Sequence, residues 1–338
     1  MTGSYPARWL HPDWRAEAVA WATDRLGAPR LDAAVQTRVR PWSTLLRLTV
    51  ADGEGTRAWW LKACSPGTAY EAPLLALLAG WGLPHVPRPV AVDAALALAL
   101  LPDGGATVRQ RHPEPSVEAT AQLLQAAALI ARGTSAHVPE MLAAGVPDLR
   151  PERVDASLAA LLDDPALTSG PHPLPAEARD RVDRHRARLR EDAALLAAGP
   201  VPAALQHDDL HDGNVLADPL VVIDWGDASV AHPFATLLVT LNAHAHRAGL
   251  GAQHPDLARL RDRYLEHWTD LAPLSELQAL AAAAVRLAPV GRAWAWRRAL
   301  SGADTAARQE WGDGVAGWLE ELVGDDLPLQ GADRARQP

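Results

Sequence analysis

Gln206-His207-Asp208-Asp209-Leu210-His211-Asp212-Gly213-Asn214, followed by Val222-Ile223-Asp224-Trp225-Gly226-Asp227, is the stretch on which the reading of this chain turns. Its polar residues fall at the ends of three short apolar segments, at 203–206, 214–216 and 221–223. Such segments, set inside an otherwise helical region, predict loops at strand ends, where a rigid scaffold presents reactive groups.

Outward from this island the pattern is helical on both sides. Helices are expected at 116–132, 151–162 and 176–198 before it, and at 234–248, 256–271, 275–287 and 305–323 after it. Apolar periodicity along 179–196 and 257–268 fits one-sided burial. The first hundred residues read differently. A helix at 14–26 leads into strands at 35–40, 45–51 and 57–63, the last two joined by the turn Asp52-Gly53-Glu54-Gly55. A helix at 68–81 and strands at 90–92 and 96–101 complete a small α/β unit, and the turn-forming run Leu101-Pro102-Asp103-Gly104-Gly105 closes it. The expected organisation is α+β: an N-terminal lobe at 1–103, a mainly helical C-terminal lobe at 104–324, and a disordered polar tail at 325–338.

Composition sharpens the picture. The 338 residues are 48% hydrophobic and 22% charged, enough for a sizeable core. One cysteine, Cys64, excludes an internal disulfide and a multi-cysteine zinc site, and suits a reducing cytoplasm. Met1 to Arg15 has no basic segment leading into an apolar run, and no stretch is long and apolar enough to span a bilayer, so the expectation is a protein that is not exported. A formal charge of -9 argues against binding nucleic acid and weakly favours a cationic partner. Lys62 is the single lysine among 32 basic residues, and Asn214 is one of two asparagines. Where arginine serves every other basic position, a lone lysine suggests a task for a compact point charge, such as facing phosphate oxygens. Strand alternation puts Lys62 on one face with Ala58 and Trp60, and Trp59, Leu61 and Ala63 on the other.

Phosphoryl transfer needs a carboxylate near the attacking hydroxyl, oxygen ligands for magnesium and a cation on the nucleotide phosphates. His207-x-Asp209-x-x-x-x-Asn214 followed by Asp224-Trp225-Gly226 resembles the catalytic and metal-binding loops of the aminoglycoside phosphotransferase and choline kinase family, relatives of protein kinases. The resemblance runs from about Val35 to Leu322. It implies a protein-kinase-like bilobal fold and ATP-dependent transfer of the γ-phosphate to a hydroxyl of a small molecule: an aminoglycoside, an amino-alcohol or a sugar-like compound. Carried over by position, it makes Asp209 the catalytic base, Asn214 and Asp224 the magnesium ligands, and Lys62 the partner of the α and β phosphates. Residues 98–103, with Leu101 and Asp103, become the hinge that meets adenine. His207 is then expected to be buried and structural. His211 and Asp227 are candidates for contact with the acceptor or the loop backbone.

Several positions depart from the family pattern. Asp208 stands where glycine is usual, and as a like charge it is expected to raise the pKa of Asp209. The phosphate-covering loop Arg40-Pro41-Trp42-Ser43-Thr44 has no glycine, which leaves the Ser43 and Thr44 hydroxyls as substitutes. Glu71 is expected to pair with Lys62, against a rival capping box with Thr68; a helix starting at Ala72 or Pro73 would free it. His172, His185, His244 and His246 read as solvated or capping residues, and 179–190 and 292–298 as exposed, arginine-laced helix faces. Glu266 and Asp270 join Asp227 as acidic groups that would greet an amine. Three other functions fit parts of the pattern. A protein kinase lacks support because the glycine loop and an arginine before the catalytic aspartate are missing. A non-catalytic nucleotide-binding module leaves the full set of polar groups unexplained. A metal hydrolase built on His207, Asp209, His211 and Asp212 leaves Lys62, Asn214 and Asp224 idle.

Overall fold

The computed structural model describes residues 4–27, 31–51, 55–324 and Pro328. Helices α1 (Tyr5–Leu10) and α2 (Pro12–Leu26) precede strands β1 (Ala33–Val39), β2 (Ser43–Ala51) and β3 (Thr56–Cys64). Helix α3 (Glu71–Gly80) and strands β4 (Ala91–Asp93) and β5 (Leu98–Pro102) follow. The five strands form one antiparallel sheet in the order β1-β2-β3-β5-β4. Residues 52–54 of the turn expected between β2 and β3, and all of the tail but Pro328, lie outside the described residues.

The alternation of β3 divides the work of the sheet. Leu61 and Ala63 pack with Leu46, Leu48, Leu98 and Leu100 against Trp9, Ala18 and Ala22 of the two N-terminal helices. Lys62, between Leu45 of β2 and Ala99 of β5 in the register, points to the opposite face, where α3 lies. The β1–β2 register shifts between Gln36 and Arg38. A bulge of this kind re-aims a side chain, and Arg38 lines the cleft below the sheet.

The C-terminal lobe begins with the short helix α4 (Val108–Arg111) and contains α5 (Val117–Thr134), α6 (Val138–Ala143), α7 (Val154–Leu162), α8 (Pro165–Thr168) and α9 (Ala176–Ala198). The island follows as β6 (Ala204–Gln206), β7 (Val215–Ala217), β8 (Leu220–Val222) and β9 (Ser229–Ala231). β6 pairs with β9, and β7 with β8 as a hairpin. Then come α10 (Leu237–Ala248), α11 (Pro255–Leu265), α12 (Leu274–Ala299), α13 (Thr305–Trp311) and α14 (Asp313–Glu321). One core unites α5, α7, α9, α10, α11, α12 and α14. A second joins α3 to the island, with Leu74, Leu75 and Leu78 packed among Leu205, Leu210, Val215, Val222 and Trp225. The helix that carries the carboxylate for Lys62 is thereby seated on the same apolar body as the loop that carries Asp209.

Among the departures from expectation, three bear on the site and the helical wall behind it. β9 is too short to show as an apolar run. The expected helix at 305–323 divides at Gly312 into α13 and α14. The helix expected to stop at Leu287 continues through Pro289 to Ala299. An interior proline costs about 3 kcal/mol in an isolated helix. Here burial of Ala288, Pro289, Val290 and Ala293 in the main core outweighs it.

Candidate active site

A cleft of about 350 Å³ opens between the sheet and the island, and it gathers residues from both lobes. On the sheet side, the Lys62 Nζ lies 2.7 Å from Glu71 Oε1 and 2.6 Å from Oε2. Glu71 is the first residue of α3, and the Thr68 hydroxyl donates to the Trp42 carbonyl at 3.0 Å, so the capping box does not form. The helix expected from Thr68 begins at Glu71, one residue before the start that was expected to free Glu71, with Pro73 inside the first turn, where backbone N–H groups have no intrahelical partner. Glu71 also accepts from the Trp225 N–H at 3.0 Å and the Cys64 thiol at 3.3 Å. Burial raises the Glu71 pKa and the lysine opposes it.

On the island side, the Asp224 Oδ1 lies 2.5 Å from the same Lys62 amine, and Arg38 is 3.7 Å from its Oδ2. Burial acts to raise the Asp224 pKa, but Lys62 and Arg38 hold the carboxyl well below the usual range. Burial likewise disfavours the lysine cation, yet Asp224 and Glu71 raise its pKa above the ordinary value. Asp224 has φ 65°, a left-handed conformation that Asp tolerates better than most residues. The turn beneath it is tight because Gly226 leaves room: a Cβ there would sit 3.2 Å from Glu71 Oε2. Tyr70 holds the same turn, its hydroxyl set 2.5 Å from the Gly226 carbonyl and 2.9 Å from that of Ala228.

Asp209 lies at the cleft floor. Asn214 Nδ2 donates to its carbonyl at 2.9 Å and to its Oδ2 at 3.1 Å. Burial, with Asp227 and Asp224 nearby, pushes its pKa up to about 7 against the pull of Arg292 and Asn214. The expected cause, Asp208, is a different group altogether. Asp208 has φ 62°, which explains why glycine would be at ease there. Its carboxylate turns away into the protein and accepts from Ser229 Oγ and from Gln206 Nε2. Burial raises the Asp208 pKa to about 6.

His207 is buried. Its Nδ1 accepts from the Asp209 N–H at 3.3 Å and its Nε2 faces the Ile223 carbonyl at 2.9 Å, which ties the Asp209 loop to the end of the β7–β8 hairpin. Burial lowers its pKa to about 4. His211 lines the cleft with its Nε2 3.7 Å from Asp209 Oδ2, while its Nδ1 accepts from the Gly213 N–H at 3.0 Å. Asp212 is bound by Arg109 and Arg247. With both His207 nitrogens on backbone groups and Asp212 between two arginines, the four residues of the hydrolase alternative do not converge on one metal.

The cleft lining includes Ser43, Lys62, Glu71, Asp209, His211, Asn214, Asp224 and Asp227, and does not include Thr44, Leu101 or Asp103. Thr44 is fully buried; its hydroxyl accepts from Gln36 and donates to the Arg38 carbonyl, each at 2.8 Å. Ser43 is buried with its hydroxyl unpartnered. Leu101 pairs with Trp60 in the sheet, and Asp103, whose pKa burial raises and the Gly105 N–H and Arg47 lower to a net fall, caps the following turn.

The sequence reading missed Arg292, which was expected on an exposed helix face. Its guanidinium is buried, 2.8 Å from Asp227 Oδ2 and 3.2 Å from Asp209 Oδ1. The available signal was its setting within Ala288-Pro289-Val290-Gly291-Arg292-Ala293, since an arginine in an apolar run is buried only with a carboxylate partner. His244 is also buried, 2.9 Å from the Thr120 hydroxyl, and not solvated. Glu266 and Asp270 are not part of the cleft lining, and Asp270 is paired with Arg132.

A profile of the phosphotransferase enzyme family matches residues 37–280. The chain belongs to this family. The phosphotransferase resembles several solved structures at the level of fold. The GDP complex of wild-type aminoglycoside 2'-phosphotransferase-IIIa is similar over 91% of this chain and 98% of that one, with 16% identity and a TM-score of 0.60. An ethanolamine kinase from Plasmodium vivax is similar over 93% of this chain and 88% of its own, at 10% identity and a TM-score of 0.55. A choline/ethanolamine kinase family protein from Mesorhizobium loti covers 91% and 98%, at 15% identity and a TM-score of 0.51. Curated proteins gave no match. The phosphotransferase thus has the kinase-like bilobal architecture, a five-stranded antiparallel lobe over a mostly helical one. No helix among its described residues is long and apolar enough to cross a membrane.

Proposed function

We propose that this phosphotransferase moves the γ-phosphate of ATP, held with magnesium, to a hydroxyl of a small-molecule acceptor, using Asp209 as catalytic base. The observation that carries the reading is the 2.5 Å approach of the Lys62 amine to Asp224 Oδ1, an N-terminal cation meeting a C-terminal carboxylate inside the cleft that also contains Asp209 and Asn214. In this reading residues 1–103 hold the nucleotide and residues 104–324 hold the acceptor.

The donor set suits a hard divalent cation. Asp224 offers carboxylate oxygen, and Asn214, whose amide nitrogen is engaged by Asp209, has its amide oxygen left as a ligand. Magnesium held there would neutralise charge on the bridging phosphate oxygens. Lys62 is anchored by Glu71 and presents its ammonium toward the α and β phosphates. The unpartnered Ser43 hydroxyl, on the glycine-free loop, is a donor for the same phosphates. Asp209, fixed through Asn214 and Arg292, orients the acceptor hydroxyl and takes its proton as the oxygen attacks phosphorus.

A test combines two readings on the wild-type protein: quenching of tryptophan fluorescence on titration with Mg-ATP, and ADP release on addition of hydroxyl compounds. Saturable quenching with acceptor-dependent ADP release is expected. Nucleotide binding without acceptor-dependent release by any compound supports the non-catalytic alternative instead.

A further inference from the structure

At the acceptor end of the cleft no carboxylate is left over for an amine. Four carboxylates line the cleft among the described residues: Glu71, Asp209, Asp224 and Asp227. Glu71 and Asp224 are engaged by Lys62. The other two meet one guanidinium, with Arg292 Nη2 at 3.2 Å from Asp209 Oδ1 and Nη1 at 2.8 Å from Asp227 Oδ2. Arg292 is itself 6% exposed, lies over the Trp318 ring at 5.4 Å, and stands on α12, whose close approach to the catalytic loop Gly291 permits: a Cβ there would lie 3.0 Å from Asp208 Oδ1. Arg298 adds a second guanidinium at 3.3 Å from the Asp227 carbonyl.

We propose that Arg292 sets the charge class of the acceptor, which is a neutral, hydroxyl-rich compound such as a sugar or polyol, and not an amine or an anion. The inference rests on the function proposed above and names its substrate class. An ammonium group entering beside Asp209 would find both carboxylates already bridged and would face the guanidinium at short range, a like-charge approach that disfavours the wrong ligand. An anion would meet Asp209 and Asp227, with Arg292 committed to them. A neutral hydroxyl needs only a lone pair on Asp209, and a carboxylate has about four such sites, of which Arg292 and Asn214 occupy two. Trp42 and Trp296 line the same cleft and offer indole surface to the C–H side of a sugar ring. The net charge of the whole chain, which by itself favours a cation, is overruled by the pairing inside the site.

The measurement is kcat/KM for matched triplets of acceptors: D-glucose, D-glucosamine and D-glucuronate, and glycerol, 3-amino-1,2-propanediol and glycerate. The neutral member of the best-used triplet is expected to exceed both charged members by at least about tenfold in the wild-type protein. Arg292→Gln uncovers two carboxylates, so the amine-to-neutral ratio should rise by about tenfold or more, while Arg292→Lys, which keeps the charge, retains the wild-type order. A purely structural role for Arg292 would lower all three members together and leave the ratio unmoved. A wild-type preference for the amine member, or an unmoved ratio in Arg292→Gln, overturns this inference and leaves the kinase reading standing. If Arg292→Gln does not fold, the wild-type order and Arg292→Lys decide. No transfer to any member of either triplet, with Mg-ATP bound, overturns the assignment to sugars and polyols; only failure across all hydroxyl compounds also removes the function proposed above.

Discussion

Lys62 stands on the sheet wall of the cleft and Arg292 on the helical wall, each a buried cation between two carboxylates contributed by other elements. The resemblance stops there. Of the lysine's partners, Glu71 is 3% exposed and Asp224 34%, so one anchors the amine and the other shares it with whatever enters the cleft. A compact ammonium on a flexible stem is suited to that exchange. The partners of Arg292, Asp209 and Asp227, are 30% and 27% exposed, and the planar guanidinium bridges them. The comparison teaches that the first cation is turned outward, toward the open cleft, and the second inward, between Asp209 and Asp227.

The comparison breaks hardest at Asp209, one of the two carboxylates that the inward cation bridges. Asp209→Asn should lower kcat by roughly 10²- to 10⁴-fold, the usual range for a lost general base, with Mg-ATP affinity nearly unchanged. Comparable turnover in the variant would remove the role assigned to it. Next comes the anchor. Lys62→Met leaves Glu71 buried without its cation and should cost about 3–5 kcal/mol of folding stability, measured by urea unfolding. Arg292→Met, whose carboxylates are partly solvated, should cost less, and an equal loss would erase the distinction drawn between the two walls.

The neighbour of Asp209 gives a smaller, pH-dependent effect. Asp208 has a folded pKa of about 6 against an ordinary 3.8, so its ionisation opposes folding. The stability it confers is complete below about pH 4 and lost as pH rises through 6, to a total of about 3 kcal/mol. Asp208→Asn does not ionise and should gain on the wild type across that interval; parallel stability curves for the two proteins from acid to alkaline pH would contradict the burial argument. The smallest effect is expected at Tyr70. Tyr70→Phe removes the hydrogen bond to the Gly226 and Ala228 carbonyls and should cost about 1 kcal/mol, and a loss no greater than that of an exposed tyrosine would show the tie to be idle.

What the sequence revealed and concealed follows from which forces are local. Lys62 was legible because it is the single lysine and lies on a strand whose alternation is clear. Asp209, Asn214 and Asp224 were legible because the chain places them close together between short apolar strands. Arg292 was not, because Pro289 is a local stop signal that tertiary burial overrides, and a helix ended early turns a buried arginine into a surface one. Thr44 looked available as a phosphate donor, since no sequence pattern reveals that its hydroxyl closes the Arg38–Thr44 turn. The source of the raised Asp209 pKa was misread for a related cause: adjacency in sequence suggested Asp208, whereas the left-handed backbone there sends its carboxylate to Ser229, and burial, with Asp227 and Asp224, raises Asp209 instead.

Phosphorus NMR of the wild-type protein incubated with Mg-ATP and a mixture of hydroxyl compounds tests the central claim most directly. The account predicts that the γ resonance of ATP declines while a phosphomonoester resonance grows in step, and that Asp209→Asn shows neither. An unchanged spectrum, or inorganic phosphate as the sole new species whatever acceptor is present, would contradict it.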